Sequence, residues 1–254
     1  MIGVTILGTG NVAKHLFNAC LASTEISIIQ VYGRNAESLS YFQEKAQTTG
    51  NILTLAPADI YIIAISDSAI AKISKELVHK KGVVAHTSGS TPMKALSKNN
   101  RRGVFYPLQT FTENRTLNFK EIPLCIEAEH ESDRVLLTSF AKILSDNVYE
   151  INTKQRKGLH LAAVFANNFT NHMYHKAKEI CDTNDVDFEL LHTLINETAA
   201  KIKDMTPYEA QTGPGRRNDT KTVKKQLKKL KNKNHKKIYS LLSRSITKTY
   251  GKKL

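Results

Sequence analysis

The opening stretch, Met1-Ile-Gly-Val-Thr-Ile-Leu-Gly-Thr-Gly-Asn-Val-Ala13, constrains the fold more than any later part of the chain. An apolar, β-branched run from Ile2 to Leu7 feeds straight into Gly8-Thr9-Gly10-Asn11-Val12-Ala13. An amphipathic segment, Lys14 to Leu21, follows without a break. This is the pattern G-x-G-x-x-A set between a strand and a helix. Gly8 permits the tight turn, and Gly10 lets the backbone approach a pyrophosphate. Ala13 lets the helix lie close to the strand, so its N-terminus can face the phosphates. The pattern alone also fits an ordinary glycine-rich turn; its place directly after a strand makes it a dinucleotide signature. Gly8, Thr9, Gly10, Asn11 and Val12 are therefore expected cofactor contacts.

The second strand is predicted over Ile26 to Gly33 and ends in Gly33-Arg34-Asn35. At this strand end, about twenty residues past the fingerprint, NAD-binding chains carry an acid for the ribose 2′-OH. Here there is none. A guanidinium fork suits a 2′-phosphate, which a carboxylate would repel. Arg34 and Asn35 therefore point to NADP. The alternative is a solvent-exposed loop arginine.

Further alternation follows. A helix is predicted over Glu37 to Thr48, and a continuous apolar strand over Asp59 to Ile65, as suits a parallel strand buried on both faces. Ile65 and Ser66, at its end, are expected to border the cofactor, and Ser66-Asp67-Ser68 to cap a helix over Ala69 to His79. Strands at Gly82 to His86, Gly103 to Tyr106, Ile122 to Glu127 and Asn147 to Ile151 complete the pattern. Helical stretches are expected at Met93 to Ser97, after Pro92, and at Arg134 to Leu144. The fold class is α/β: a doubly wound parallel sheet over residues 1–151, then an all-α domain over 152–254. That second part reads as two long helices between Lys154 and Lys203, broken near Asp182 to Asp187. Two lysine-rich helices follow, striped by Val223, Leu227, Leu230 and by Ile238, Leu241, Leu242, Ile246.

The formal net charge is +14, and its location limits what it means. Thr220 to Leu254 holds 13 Lys or Arg and no acid, whereas the remaining basic and acidic residues nearly cancel. The apolar stripes predict packing, and no base-stacking aromatic pattern accompanies the lysines. Nucleic-acid binding is therefore not expected. No apolar run approaches the roughly 18 residues of a membrane span. No leader precedes the first strand, so a cytoplasmic protein is expected. Cys20, Cys125 and Cys181, scattered and odd in number, read as core residues and not as a disulfide or zinc framework.

The segment from Gly158 to His175 is apolar nearly all round, as a buried central helix would be. His160, Asn167 and Asn171 fall within about 40° of one another at 100° per residue, with Asn168 and His175 beside them. A polar stripe on a buried helix needs partners, since unpaired groups there cost about 1–3 kcal/mol each. It either makes hydrogen bonds between helices or subunits, or borders the cofactor cleft. In the second case His160 could donate a proton, Asn167 could orient a substrate, and Asn168 and Asn171 could bind it. Ser88, in the loop after the strand ending at His86, could add a hydrogen bond from the sheet side. For His86 itself a structural role is as good a reading as a catalytic one. Thr212-Gly-Pro-Gly-Arg216-Arg217-Asn-Asp219 is either an anion-binding loop or an exposed turn.

On Gly8-Thr-Gly10-Asn-Val, Gly33-Arg34-Asn35, His86-Thr-Ser-Gly89, Tyr106-Pro-Leu-Gln-Thr-Phe111, His160 to His172 and Thr212-Gly-Pro214, the chain resembles a family of Rossmann-like NADP oxidoreductases. Its members carry a helical C-terminal domain of unknown function and are related to pyrroline-5-carboxylate reductase and to the 6-phosphogluconate and 3-hydroxyacid dehydrogenases. The resemblance implies a helical domain that forms a homodimer and closes the active site. One departure stands out. The hydroxyacid dehydrogenases place a catalytic Lys four residues before an Asn on this helix; if Asn167 is that Asn, the Lys position holds Ala163. Hydride transfer between NADPH and a small, anionic carbonyl or imine substrate is the expected function. The missing Lys leaves a non-catalytic nucleotide sensor as the alternative.

Overall fold

The computed structural model describes residues 1–251, and contacts divide it into two compact units, Met1–Asn168 and Phe169–Leu254. The first unit is built on one eight-stranded sheet. Its strands are β1 (Ile2–Leu7), β2 (Ile26–Tyr32), β3 (Thr48–Thr49), β4 (Ile60–Ile63), β5 (Val83–His86), β6 (Arg101–Pro107), β7 (Leu124–Ala128) and β8 (Val148–Glu150). The order is β3-β2-β1-β4-β5-β6-β7-β8, and its first six strands are mutually parallel. The chain thus reverses direction across the sheet between β1 and β4. In open α/β sheets that switch point is where ligands bind.

Strand residues sort to the two faces with a period of two. Val4, Ile6, Ile60, Ile62, Val83 and Ala85 join one core with helices α1 (Asn11–Leu21), α2 (Ala36–Gln43) and α4 (Glu131–Leu144). Leu7, Tyr61, Ile63 and Val84 join a second core with Ile70 of α3 (Asp67–Lys75). Helices on both faces explain why β4 and β5 are buried at every position. Cys20 and Cys125 are buried within this packing, and burial pushes their thiols up to about 12 and about 11.

The structure departs from the all-parallel expectation at β7, which pairs antiparallel with β6. A parallel return needs a crossover, usually a helix. The 108–123 connection offers only the 3₁₀ turn Phe119–Glu121, so the chain doubles back. Helix α4 then supplies a crossover, and β8 runs parallel to β7. The helix expected up to Thr48 stops at Gln43, because Thr48 and Thr49 pair with β2 instead. The helix expected at Met93 to Ser97 is a single 3₁₀ turn, Met93–Ala95.

After β8 the described residues are helix or turn: α5 (Thr153–Ala163), a π-turn (Val164–Phe169), α6 (Thr170–Thr183), α7 (His192–Ala200), α8 (Pro207–Ala210), α9 (Thr220–Lys229) and α10 (Lys233–Tyr250). A capping box of Asn152 and Gln155 starts α5. The burial expected for this helix is absent in the single chain: Leu161 is 60% exposed and Arg156 is its only fully buried side chain. The second unit is more open still. Among its described residues only Ala210 and Gly215 are buried, while Leu190 and Leu194 are 74% and 62% exposed. Val223, Leu227, Ile238 and Ile246 of the tail stripes are half-buried; Leu241 and Leu242 are exposed. In the 212–219 loop Arg216 donates to the carbonyls of Glu209 and Gln211, and Gly215 packs on Ile246. No described helix is long and apolar enough to cross a membrane.

Candidate functional site

The fingerprint turn is shaped by two glycines with different tasks. Gly8 sits at φ +131°, and a Cβ there would overlap the carbonyl oxygen of Ala64, so only glycine fits. Gly10 caps α1 in extended conformation, and a Cβ on it would meet nothing within 4 Å. Its open side is the cleft. No side chain caps α1 and no acid lies in its first turn, which leaves unpaired N–H groups and the positive end of the dipole toward an incoming anion. Ala13 is fully buried, consistent with close helix–sheet packing.

Three residues on one face of α1 stitch the 109–113 segment alongside it. Asn11 Nδ2 donates to the Phe111 carbonyl at 3.1 Å, Lys14 pairs with Glu113, and His15 Nε2 meets the Thr112 carbonyl at 2.9 Å. Their spacing of three and four is the helical repeat. The segment thereby becomes a wall of the cleft.

That cleft has a volume of about 900 Å³ and lies at the switch point between β1 and β4. Its floor is Gly8 to Val12 with Ala64, Ile65 and Ser66 from the end of β4. At one end stand Arg34, Lys72 and Glu76, the only charged groups of the lining. Asn35 is not among the lining residues; its side chain accepts from Ser38 N and caps α2. At the other end His160, Asn167 and Asn168 face Thr87, Gln109, Thr110 and Phe111.

His160 has a partner that sequence reasoning missed. Its Nδ1 lies 3.0 Å from the hydroxyl of Tyr106, with the two rings edge to face. Burial, reinforced by the neighbouring Cys125 thiol, pushes the Tyr106 phenol up to about 12. The phenol therefore keeps its proton and can either donate to Nδ1 or accept from Nδ1–H. Nε2 is left as the ring nitrogen that can serve the cleft. The only signal for Tyr106 in the sequence was its place in the Tyr106-to-Phe111 segment, which gave no hint of the histidine.

Asn167 and Asn168 both lie in the π-turn and both line the cleft. Consecutive residues of an α-helix diverge by about 100°; π-turns inside helices recur at functional sites. The stripe drawn with an ideal repeat also included Asn171, which belongs to the second unit.

The remaining candidates organise a loop. The Ser88 hydroxyl donates to Thr91 Oγ1 at 3.0 Å and accepts the N–H groups of Ser90 and Thr91, so it is engaged within its own turn. Asp67 accepts from Ser90 Oγ at 2.5 Å and ties the same turn to α3. His86 is fully buried, and its Nδ1 accepts from Ser88 N at 3.2 Å. Burial, then the charge of Arg156, push its imidazole down to about 4, so it is neutral and structural.

Residues 3–89 match the family described as NADP oxidoreductase coenzyme F420-dependent, and residues 122–246 match a domain of unknown function (DUF2520). Over its whole length the chain is 39% identical to an inferred NADP oxidoreductase from Bacteroides fragilis. The alignment covers 97% of this chain and 98% of that one, with a TM-score of 0.89. The chain belongs to this family of NADP oxidoreductases. No curated protein matches it by sequence. Two distant structures share the fold. An imine reductase from Myxococcus stipitatus in complex with NADP⁺ is 14% identical, with 97% and 93% of the two chains covered and a TM-score of 0.71. A pyrroline-5-carboxylate reductase from Coxiella burnetii is 16% identical, with 98% and 97% covered and a TM-score of 0.58. The DUF2520 match begins ahead of β7, so the second family domain takes in two strands of the sheet and is not wholly α-helical.

Proposed function

We propose that the chain reduces a small carbonyl or imine compound with NADPH, and that the cleft of the first unit is the active site. The observation that carries this reading is one continuous lining. It runs from the open Gly10 turn and Arg34 to the His160–Tyr106 pair. The fit to the cofactor rests on the same turn: uncapped helix N–H groups suit a pyrophosphate, and Arg34 suits a 2′-phosphate.

Bound NADPH would supply the hydride that the reduced carbon receives. His160, entering the step as the imidazolium with a proton on each ring nitrogen, gives the Nε2 proton to the oxygen or nitrogen of the bond being reduced. The imidazole then keeps its remaining proton on Nδ1, where the Tyr106 oxygen accepts it. Asn167 and Asn168 orient the substrate through carboxamide N–H and C=O groups, and Phe111 limits water. If Asn167 matches the Asn of the related dehydrogenases, Ala163 holds their Lys position, and His160 one turn earlier is the candidate for the proton transfer. The small, anionic substrate expected from the resemblance would meet carboxamides and His160 at this end of the lining.

The open second unit supports a homodimer. A chain segment with two buried residues cannot stabilise itself through a core, and an identical copy presenting Leu190, Leu194 and Leu241 is the complementary surface.

A fluorescence titration with NADPH and NADH tests the cofactor. Arg34→Ala should weaken NADPH by about ten- to a hundredfold, as loss of a charge-assisted contact does, and leave NADH unchanged. Equal binding of the two cofactors by the unaltered chain would sink the assignment. NADPH oxidation across cyclic imines and 2-oxo acids then separates a reductase from a sensor that binds without turnover.

A further inference from the structure

Among the described residues Arg156 is the largest fully buried side chain, on a helix otherwise open to solvent. Nη1 donates to the carbonyls of Ser88, Gly89 and Thr91 at 2.9, 3.1 and 2.8 Å. Nη2 donates to Glu127 Oε2 at 3.1 Å and reaches Thr153 Oγ1 at 3.4 Å. Thr153 Oγ1 in turn donates to the other Glu127 oxygen at 2.5 Å. Three carbonyl dipoles converging on one point repel each other unless a cation lies between them. A buried ion pair is also a costly way to gain stability, since an apolar replacement of similar volume often does as well. Its return here is geometric.

What it fixes is the backbone at Gly89. A Cβ on that residue would lie 2.5 Å from His160 Nδ1 and 2.8 Å from Tyr106 Cζ, so the loop lies flat against the ring pair. Arg156 and His160 are four apart on α5 and share a face. One holds the loop by its carbonyls while the other rests on its glycine. Asp67 holds the loop from the far side through Ser90.

We propose that Arg156 is a positioning residue for His160: with Glu127 and Thr153 it holds the 88–91 backbone as the wall that keeps the His160 ring on the Tyr106 hydroxyl. The wall thereby decides which ring nitrogen faces the cleft. The importance of that choice rests on the proton-donor role proposed above; the geometry does not.

The test is ¹⁵N NMR of the full chain labelled at histidine. In the unaltered protein His160 should show two unlike nitrogen signals, with Nδ1 hydrogen-bonded to the Tyr106 hydroxyl. Arg156→Met keeps the bulk and removes the cation, and should move both His160 nitrogen signals toward the average of a free imidazole, as Tyr106→Phe does. Arg156→Lys, a point charge without the guanidinium fork, should give an intermediate shift. Adenosine 2′,5′-bisphosphate, which probes only the Arg34 end, should bind all of them alike. Unmoved His160 signals in a folded Arg156→Met protein would overturn the proposal. If that variant does not fold, unmoved signals in both Arg156→Lys and Glu127→Gln would overturn it equally. Failure of the unaltered protein to bind NADPH would remove the proposed function and leave this readout intact.

Discussion

The Tyr106 hydroxyl engages Nδ1 of His160 and leaves Nε2 for the cleft. Because burial holds the Tyr106 phenol near 12, it stays protonated across the working range and can support either imidazole tautomer. Removing His160 should therefore lower kcat by about 10²–10⁴-fold with NADPH binding kept, the usual loss of a general acid. Tyr106→Phe should cost about tenfold, the worth of one hydrogen bond. Steady-state rates on a substrate found by the screen check both, and full activity in His160→Ala would remove it from the mechanism. His86 makes a separate prediction about stability. Its folded value near 4 lies below the ordinary 6.5, so the unfolded chain binds the proton more readily. Stability from neutral His86 is complete above pH 6.5 and is lost as pH falls toward 4, by roughly 3 kcal/mol in all. Urea unfolding at pH 7 and pH 5 should show this difference shrinking in His86→Gln.

At the scale of elements, the fingerprint turn separates two roles that the same residue type plays. Gly8 answers to the fold: its positive φ and the Ala64 carbonyl exclude any side chain. Gly8→Ala should destabilise the protein by at least about 1–3 kcal/mol, read by thermal melting. Gly10 answers to the ligand, because nothing in the protein occupies the space beside it. Gly10→Val should melt close to the unaltered protein and bind NADPH poorly. The reverse pattern would mean the turn has been misread. The π-turn is the other element at the site: it contains both Asn167 and Asn168, which line the cleft.

For the whole molecule, the contrast between the units is the main physical fact. The first unit buries a sheet under helices on both faces, while in the second every described apolar side chain except Ala210 is half-buried or exposed. A second copy should cover them. Sedimentation should find a dimer at micromolar concentration, and Leu194→Asp should shift it toward monomer; a monomeric unaltered chain would refute this.

The sequence determined the first strand, the turn and α1, since local spacing and glycine stereochemistry act within a dozen residues. It also showed the parallel alternation through β6 and the pairing of the fingerprint with Arg34, because fully buried strands leave continuous apolar runs. Tertiary structure decided the rest. The reversal at β7 came from a connection too poor in helix to cross over. Ser88 and Asp67 were drawn into a turn by partners that spacing does not reveal. Arg156, which no motif or spacing in the sequence singled out, is buried because three carbonyls and a glutamate from distant parts of the chain converge on it. A periodic pattern records which face of an element is apolar. It does not record which distant polar groups that face will meet, and those meetings build the site.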